Sequence, residues 1–416
     1  MKIRPIWFLS SIIILMELGV TRLIPISMLQ SAWLSYKYIS VICLIIYLYF
    51  LITKPTLNRN NFYGKYASIV VLFFICETAY TFFTFGASIV EILSTGAKFF
   101  ILLLPAVLIE KIDSVHFKKF IQFTITATLF MLGFRFVLWL LYTQTNKTPF
   151  VEVFYYYRYY QGIYRLDGSA LCMPVLIYEW YGLLSEKSLS NKIKKIILSI
   201  FCISYVFVVN QSRALEICVI LILLSMWLTV QSNIRWKLIS ILLGCVAIVL
   251  ILNSGYMTNL IESLSPENVT YGGSTLTRTN ALEYYFNVKG ISLFGYGFLP
   301  ATGSFMAILR GADQSFYFED LGLLGIVFSN GILGLILYLI PLCRMLKIYR
   351  IMKRRKAKSS MFVLGILVYN ISCVISLSQF DMQRIVGYIF MMCLTEYLFY
   401  QSTYQNNFEE VKIIEK

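Results

Sequence analysis

Five arginines of this chain lie in polar segments between apolar runs, where a positive charge needs a partner. They are Arg158, Arg165, Arg213, Arg278 and Arg310. A guanidinium binds phosphate oxygens through two parallel hydrogen bonds and does not lose its proton. Arginines that converge at a membrane surface would therefore form a site for a phosphate or pyrophosphate head whose tail stays in lipid. For each of them the alternative is a solvated loop charge or one that snorkels to phospholipid.

The argument for binding a phosphate group is strongest for Arg213. It follows Ser212 in the stretch "VVNQSRALEIC", where a very short polar turn joins two apolar runs. A turn of that length cannot carry the charge far from the membrane surface. We therefore expect an anion close to the bilayer to bind it.

Asp313 stands in "GADQSFYFEDLGLLG", just ahead of a long apolar run. A carboxylate at the mouth of a cavity can act as the general base for a hydroxyl group. A residue at this place can equally cap the following helix, and Ser315 can do the same. Both interpretations remain open from the sequence.

Tyrosines crowd one polar segment, at positions 155–157, 159, 160 and 164. They fit an aromatic belt at the membrane interface. The functional alternative is a platform on which sugar rings stack, which would fall to Tyr159, Tyr160 and Tyr164.

Neither a cofactor nor a metal ion is expected. The chain has no GxxxxGK(S/T) and no GxGxxG motif, so no nucleotide site is indicated. Its one histidine, His116, is expected on the inner side, and the outer loops hold no dense pair of carboxylates. The nine cysteines have no CxxC spacing and are expected to be small apolar residues.

Composition indicates an all-α, polytopic membrane protein. Of the 416 residues, 58% are hydrophobic and only 14% are charged, and the mean hydropathy is +0.73. The apolar runs predict about twelve membrane spans, at 6–24, 38–53, 66–85, 89–109, 119–142, 167–184, 193–210, 214–230, 236–253, 317–341, 361–380 and 384–401. Charges within them, such as Glu17, Arg135 and Glu179, are expected to form ion pairs between helices.

Lysine and arginine set the predicted orientation. With the N-terminus inside, the inner segments hold 24 of the 36 Lys and Arg residues and the outer segments hold 10. Both termini are then cytoplasmic. A single membrane domain over residues 1–416 is expected, with outer loops at 143–166 and 254–316 and a basic cytoplasmic loop at 343–360. The net charge of +15 reports this orientation and contact with anionic lipid, and no nucleic acid is expected as a partner.

Several short motifs resemble those of the O-antigen and capsular polysaccharide polymerase family, which is similar to the O-antigen ligases. "RLDG" with a later proline resembles its R-x-x-G element, although Val175 replaces the usual Asn, and "QSR" resembles its Ser-Arg element. "TRTNALEYYFNVKGISLFGYGF" is similar to the stretch where an Arg precedes a helix and a G-x-G turn, which would be Gly295 and Gly297. The stretch "GADQSFYFEDLGLLG" resembles the element that precedes the next span, and Asp313 stands there where ligases carry a His.

The resemblance implies a fold similar to class C glycosyltransferases, with a large outer loop between spans nine and ten. It implies a metal-independent enzyme of the bacterial cytoplasmic membrane that joins repeat units carried on undecaprenyl pyrophosphate, for capsule or other exopolysaccharide. Our hypothesis for the mechanism is that Arg213 and Arg278, with Arg165, grip the pyrophosphate and that Asp313 accepts the proton of the attacking hydroxyl. The other substrate-binding residues would be Arg158, Arg165, Arg310, Ser212, Tyr159, Tyr160 and Tyr164. A chain-length regulator is a candidate partner beside the lipid-linked oligosaccharide and the bilayer.

Other functions remain as alternatives. An O-antigen-ligase-like transferase differs from a polymerase in this sequence only through Asp313. A flippase for lipid-linked oligosaccharide would need a cationic cavity between two similar halves, and the long loops here lie on unequal halves. A metal-dependent transferase typically has acidic residues in its first outer loop, and segment 25–37 has none.

Overall fold

The structure is a computed structural model that describes residues 5–24, 26, 31–53, 61–151, 158–160, 163–230 and 272–414. The helices are α1 Pro5–Glu17, α2 Ala32–Thr53, α3 Phe62–Phe85, α4 Ile89–Gly96, α5 Leu104–Ile109, α6 Val115–Thr145, α7 Cys172–Ser185, α8 Leu189–Ser204, α9 Arg213–Thr229, α10 Gly272–Val288, α11 Phe305–Arg310, α12 Gly322–Arg354, α13 Ser360–Cys373 and α14 Met382–Ile414. Tighter 3₁₀ turns cover Val20–Leu23, Ala97–Leu103 and Phe318–Leu321, and a π-helix covers Tyr205–Asn210.

Six helical segments of the described chain are long and apolar enough to cross a membrane. They are Leu34–Thr53, Phe62–Phe85, Ile89–Ile109, Val115–Thr145, Leu189–Asn210 and Phe318–Arg354. Two shorter apolar helices, α1 and α13, accompany them. The protein is therefore a multi-pass helical membrane protein, as its composition predicts.

The predicted number of twelve spans is not reached within the described residues. The span expected at 236–253 lies outside them, as does the first part of the loop expected at 254–316. The span expected at 167–184 begins later, at Cys172, and α7 has 14 residues. Residues 166–171 form a loop that bonds to neighbouring helices, so they cannot start a membrane helix.

Local signals in the sequence explain where several helices begin and end. The Asn61 side chain caps α3 by accepting a hydrogen bond from the Tyr63 N–H (2.9 Å), and Ser114 caps α6 in the same way. Gly86 and Asn146 end these two helices in the left-handed region.

The polar segment before α7 contains a short β-hairpin that the all-α prediction missed. Strands β1 (Arg158–Tyr160) and β2 (Ile163–Arg165) pair antiparallel, with Arg158 opposite Arg165 and Tyr159 opposite Tyr164. Aromatic residues favour strands, and three-residue strands are too short to give a clear alternating pattern.

Helix α12 is broken within its first third, at Asn330 and Gly331, where Gly331 has φ 63° and ψ −163°. The turn of residues 292–298 inserts into this break. The Tyr296 N–H donates to the Phe328 carbonyl (3.0 Å), and two further backbone hydrogen bonds join the same segments at 3.0 and 3.2 Å. The break frees backbone groups that lipid cannot satisfy, and the inserted turn satisfies them.

Candidate functional site

The ends of several helices and their connecting loops line a cavity of about 960 Å³. Its walls carry a concentration of positive side chains, namely Lys37, Lys98, Arg165, Arg213, Arg278, Arg310 and Arg384. Five carboxylates share the lining: Glu91, Asp167, Glu319, Asp320 and Asp381. Four of the five arginines singled out in the sequence are thus brought together at one place. The fifth, Arg158, is described only by its backbone in β1.

Arg165 and Arg213 belong to the same wall. Helix α8 widens into the π-helix and ends at Gln211, which adopts φ 49° and donates its N–H to the Val206 carbonyl (2.9 Å). Ser212 then occupies the N-cap position and Arg213 begins α9. Arg165 donates from its guanidinium to the carbonyls of Asn210 and Gln211. Single-turn π-helices often occur at functional sites, and this one sets the spacing of two candidate arginines.

The loop of residues 166–170 is held by charged residues from other helices. Arg135 donates from Nη1 to the Asp167 carbonyl (2.7 Å) and from Nη2 to the Leu18 carbonyl (2.8 Å). Glu17 accepts hydrogen bonds from the Ser169 hydroxyl and the Ala170 N–H, both at 3.1 Å. These two charged side chains therefore hold loop and helix-end atoms in place, and the inter-helix ion pairs expected for them stay a prediction.

The expected ion pair exists for a third intramembrane charge. Glu179 of α7 accepts from the Lys195 ammonium of α8 at 2.7 Å. The Glu179 side chain is buried, so the pair compensates a charge that would otherwise be costly to leave alone in lipid.

Arg278 and Arg310 belong to a second wall, built from residues 272–321. Arg278 lies 3.8 Å from the Asp320 carboxylate, and both side chains are substantially exposed. The Arg310 guanidinium stacks over the Tyr317 ring, 4.6 Å from its centroid. Stacking orients the guanidinium and leaves its edge donors for a ligand.

Asp313 is exposed on the turn after α11 and does not line the cavity. Its part as a general base stays a prediction that the geometry does not support. It does not cap the long helix either, because α12 begins at Gly322, after the 3₁₀ turn Phe318–Leu321.

The tyrosine platform is not available at Tyr164. Its ring is buried against Tyr142, with ring centroids 5.6 Å apart, and leaves no face for a sugar. Its backbone carbonyl accepts a hydrogen bond from the Trp139 indole (2.9 Å). The side chains of Tyr159 and Tyr160 lie outside the described part of the molecule, so their stacking role stays a prediction.

Two further charged residues at the cavity, Asp381 and Arg384, were not predicted as site residues from the sequence. Asp381 lies in the turn between α13 and α14, and its Oδ2 accepts from Arg384 Nη1 at 3.0 Å. Burial raises the pKa of the Asp381 carboxyl to about 6, although the Arg384 guanidinium beside it acts in the opposite direction. The polar turn "SQFDMQR" between two apolar runs was the signal that could have found it.

Within the described chain, no three His, Cys, Asp or Glu side chains are grouped so that they could hold a metal ion. The sequence matches no protein-family model and no curated protein. Function must therefore be argued from the cavity, in which guanidinium groups from two walls face a space of ligand size.

Proposed function

We propose that this protein is a metal-independent membrane glycosyltransferase. It would polymerise oligosaccharide repeat units linked to undecaprenyl pyrophosphate into surface polysaccharide, at the outer face of a bacterial cytoplasmic membrane. The observation that carries the proposal is the convergence of Arg165, Arg213 and Arg278 on one cavity, although 113 positions separate the first and last of them.

Guanidinium groups suit the leaving group of such a reaction. When the bond between the anomeric carbon and the pyrophosphate breaks, negative charge grows on the phosphate oxygens. Fixed donors aimed at that charge stabilise the transition state more than the ground state. Arg165 is held by two backbone carbonyls and Arg213 by its place at the start of α9, so both are positioned before the substrate arrives.

The size and chemistry of the cavity support a sugar substrate. Its volume of about 960 Å³ is at the upper end of the range for small-molecule sites, which leaves room for a pyrophosphate together with sugar rings. Ser212, Asn210 and Ser329 add neutral polar groups to the lining, and these can bond sugar hydroxyls. The apolar helices around it fit a substrate whose lipid tail remains in the bilayer.

The test is synthesis by the purified protein in proteoliposomes supplied with a lipid-linked repeat unit. Wild-type protein should give a ladder of polymers. Arg213→Ala should lower the polymerisation rate by about 100-fold or more and leave single repeats, because a main anchor of the leaving group is lost.

The matched control is Lys147→Ala, which removes an exposed cation of the same predicted side that does not line the cavity. It should keep the wild-type ladder. A full ladder from Arg213→Ala at normal protein levels would refute the site.

A ligase-like transferase is the second candidate, since it would use the same leaving group and the same arginines. The exposed Asp313 in place of the ligase histidine favours the polymerase. Adding a non-lipid-linked acceptor to the assay separates the two, because only a ligase would transfer the glycan to it. A flippase would move the lipid-linked unit across the membrane and make no polymer.

A further inference from the structure

Asp381 differs from the other carboxylates of the cavity in its burial. Its side chain is 6% exposed, whereas Glu91, Asp167, Glu319 and Asp320 are half-buried or exposed. It lies on the lining at the turn that connects α13 to α14. A buried carboxylate on a substrate cavity is shielded from bulk water and can act on a bound hydroxyl.

The surroundings of Asp381 fix its orientation. Oδ2 accepts from Arg384 Nη1 at 3.0 Å, and the same guanidinium nitrogen donates to the Ser378 carbonyl at 3.2 Å. The backbone N–H of Ser378 donates to the Glu319 carbonyl at 3.2 Å, which ties this turn to the second wall of the cavity. Asp381 is therefore held between two loops that both face the substrate space.

Charged and titratable groups face Asp381 from four elements. Arg384 belongs to α14, Lys98 to the 3₁₀ turn after α4, Glu319 to the 3₁₀ turn before α12, and Tyr36 to α2. Burial raises the pKa of the carboxyl, and Glu319 adds to this effect, while Arg384 and Lys98 oppose it. Together these effects give the Asp381 carboxyl a pKa of about 6, so it can exchange a proton near neutral pH.

We propose that Asp381 is the general base that takes the proton from the attacking sugar hydroxyl. The inference rests on the proposed function. As the acceptor oxygen forms a bond to the anomeric carbon of the donor, the bond from that carbon to the pyrophosphate oxygen breaks. Its electron pair leaves with the lipid pyrophosphate, and the hydroxyl proton passes to the Asp381 carboxylate. Water or the departing phosphate then takes the proton and restores the base.

The hypothesis drawn from the sequence gives this role to Asp313 instead. Asp313 is exposed and is not among the residues that line the cavity, whereas Asp381 is buried and lines it. The two assignments are exclusive and can be compared directly.

The first experiment measures the single-turnover rate of polymerisation for Asp381→Asn, Asp313→Asn and wild-type protein in proteoliposomes. Asn caps helices as well as Asp does, so the start of α14 is expected to survive the change. Asp381→Asn should lower the rate by about 100-fold or more, as expected for loss of a general base, and leave binding of the lipid-linked unit unchanged. Asp313→Asn should stay within about threefold of wild type, because its carboxylate is exposed and does not line the cavity.

The second experiment follows the pH dependence and does not require an Asp381 variant to fold. The base must be ionised, so the wild-type rate should fall as pH drops through about 6. Arg384→Gln removes the charge that lowers the pKa of Asp381, so the midpoint of the pH profile should move to higher pH. Arg384→Lys keeps the charge and should leave the midpoint close to that of wild type.

Polymerisation by Asp381→Asn at the wild-type rate, or an unmoved pH midpoint in Arg384→Gln, would overturn the role of Asp381. Both results presuppose a wild-type protein that makes polymer. If wild-type protein neither binds the lipid-linked unit nor makes polymer, the proposed function itself fails, and the two failures are thereby told apart.

Discussion

Arg344 of α12 and Glu396 of α14 form a bidentate ion pair, with Nε–Oε1 and Nη2–Oε2 distances of 2.7 and 3.0 Å. The rings of Phe62 and Phe399 lie 5.3 and 5.9 Å from the guanidinium and shield it. The Glu396 side chain is 8% exposed and that of Arg344 is 22% exposed. This geometry belongs to the class of ion pair in which losing one partner costs more than losing both.

Glu396→Ala should therefore destabilise the protein by about 3 kcal/mol, because it leaves a largely buried guanidinium without its partner. The measurement is the midpoint of thermal unfolding in detergent. Replacing both residues by methionine should recover most of the loss, and Lys358→Ala, an exposed loop lysine, should change nothing. A Glu396→Ala midpoint equal to that of wild type would mean that water already compensates the guanidinium.

Gly331 shows how one element depends on another. Its φ of 63° and ψ of −163° are accessible to glycine alone, and a Cβ at this position would lie 2.1 Å from the Leu293 carbonyl oxygen. Neither backbone can give way without separating the turn of residues 292–298 from α12. The break also aims Ser329 and Asn330 at the cavity, so it links the fold to the site.

Gly331→Ala should cost about 3 kcal/mol or more and lower the yield of folded protein. Gly133→Ala is the matched control, since Gly133 lies within α6 and its added Cβ would meet no atom within 4 Å. That change should be neutral or stabilise by up to ~1 kcal/mol through helix propensity. Equal thermal midpoints for the two variants would show that α12 is not broken at Gly331.

The elements also show what the sequence can and cannot predict. The G-x-G turn was expected, and Gly295 and Gly297 indeed have φ of 61° and 66°. That this turn fills a break in α12 was not predictable, because no local pattern marks a contact between segments over 30 residues apart. The apolar run 193–210 predicted a span, but nothing in it distinguishes a π-helix from an α-helix.

For the molecule as a whole, loop charges predict that the arginines lie on the outer side, which stays a prediction, and the structure shows that four of them line one cavity. A count of loop charges predicts the side of the membrane for each loop, but it does not tell which side chains lie close to one another. Lys98 and Asp381 were therefore missed, although both line that cavity. Arg384 was missed for the same reason, although it too lines the cavity. These side chains are brought together by contacts between segments far apart in the sequence. Residues 318–323, at the start of α12, form backbone hydrogen bonds with residues 374–378.

Helix α12 relates the cavity to the most basic segment of the chain. It begins at Gly322, beside the cavity, and the part after the break, residues 332–354, spans about 35 Å at the rise of an α-helix. Eight Lys and Arg residues lie between positions 344 and 358, at the end far from the cavity. Because basic loops stay in the cytoplasm, the cavity should open to the outer side.

Single cysteines test this orientation in a protein whose exposed Cys343 is replaced by serine. Lys147→Cys should react with a membrane-impermeant maleimide added to intact spheroplasts, because Lys147 lies in the exposed loop after α6. Lys358→Cys should react only after the membrane is opened or inverted. The reverse pattern would place the arginine cavity in the cytoplasm, where a polymerase of exported repeat units could not use it.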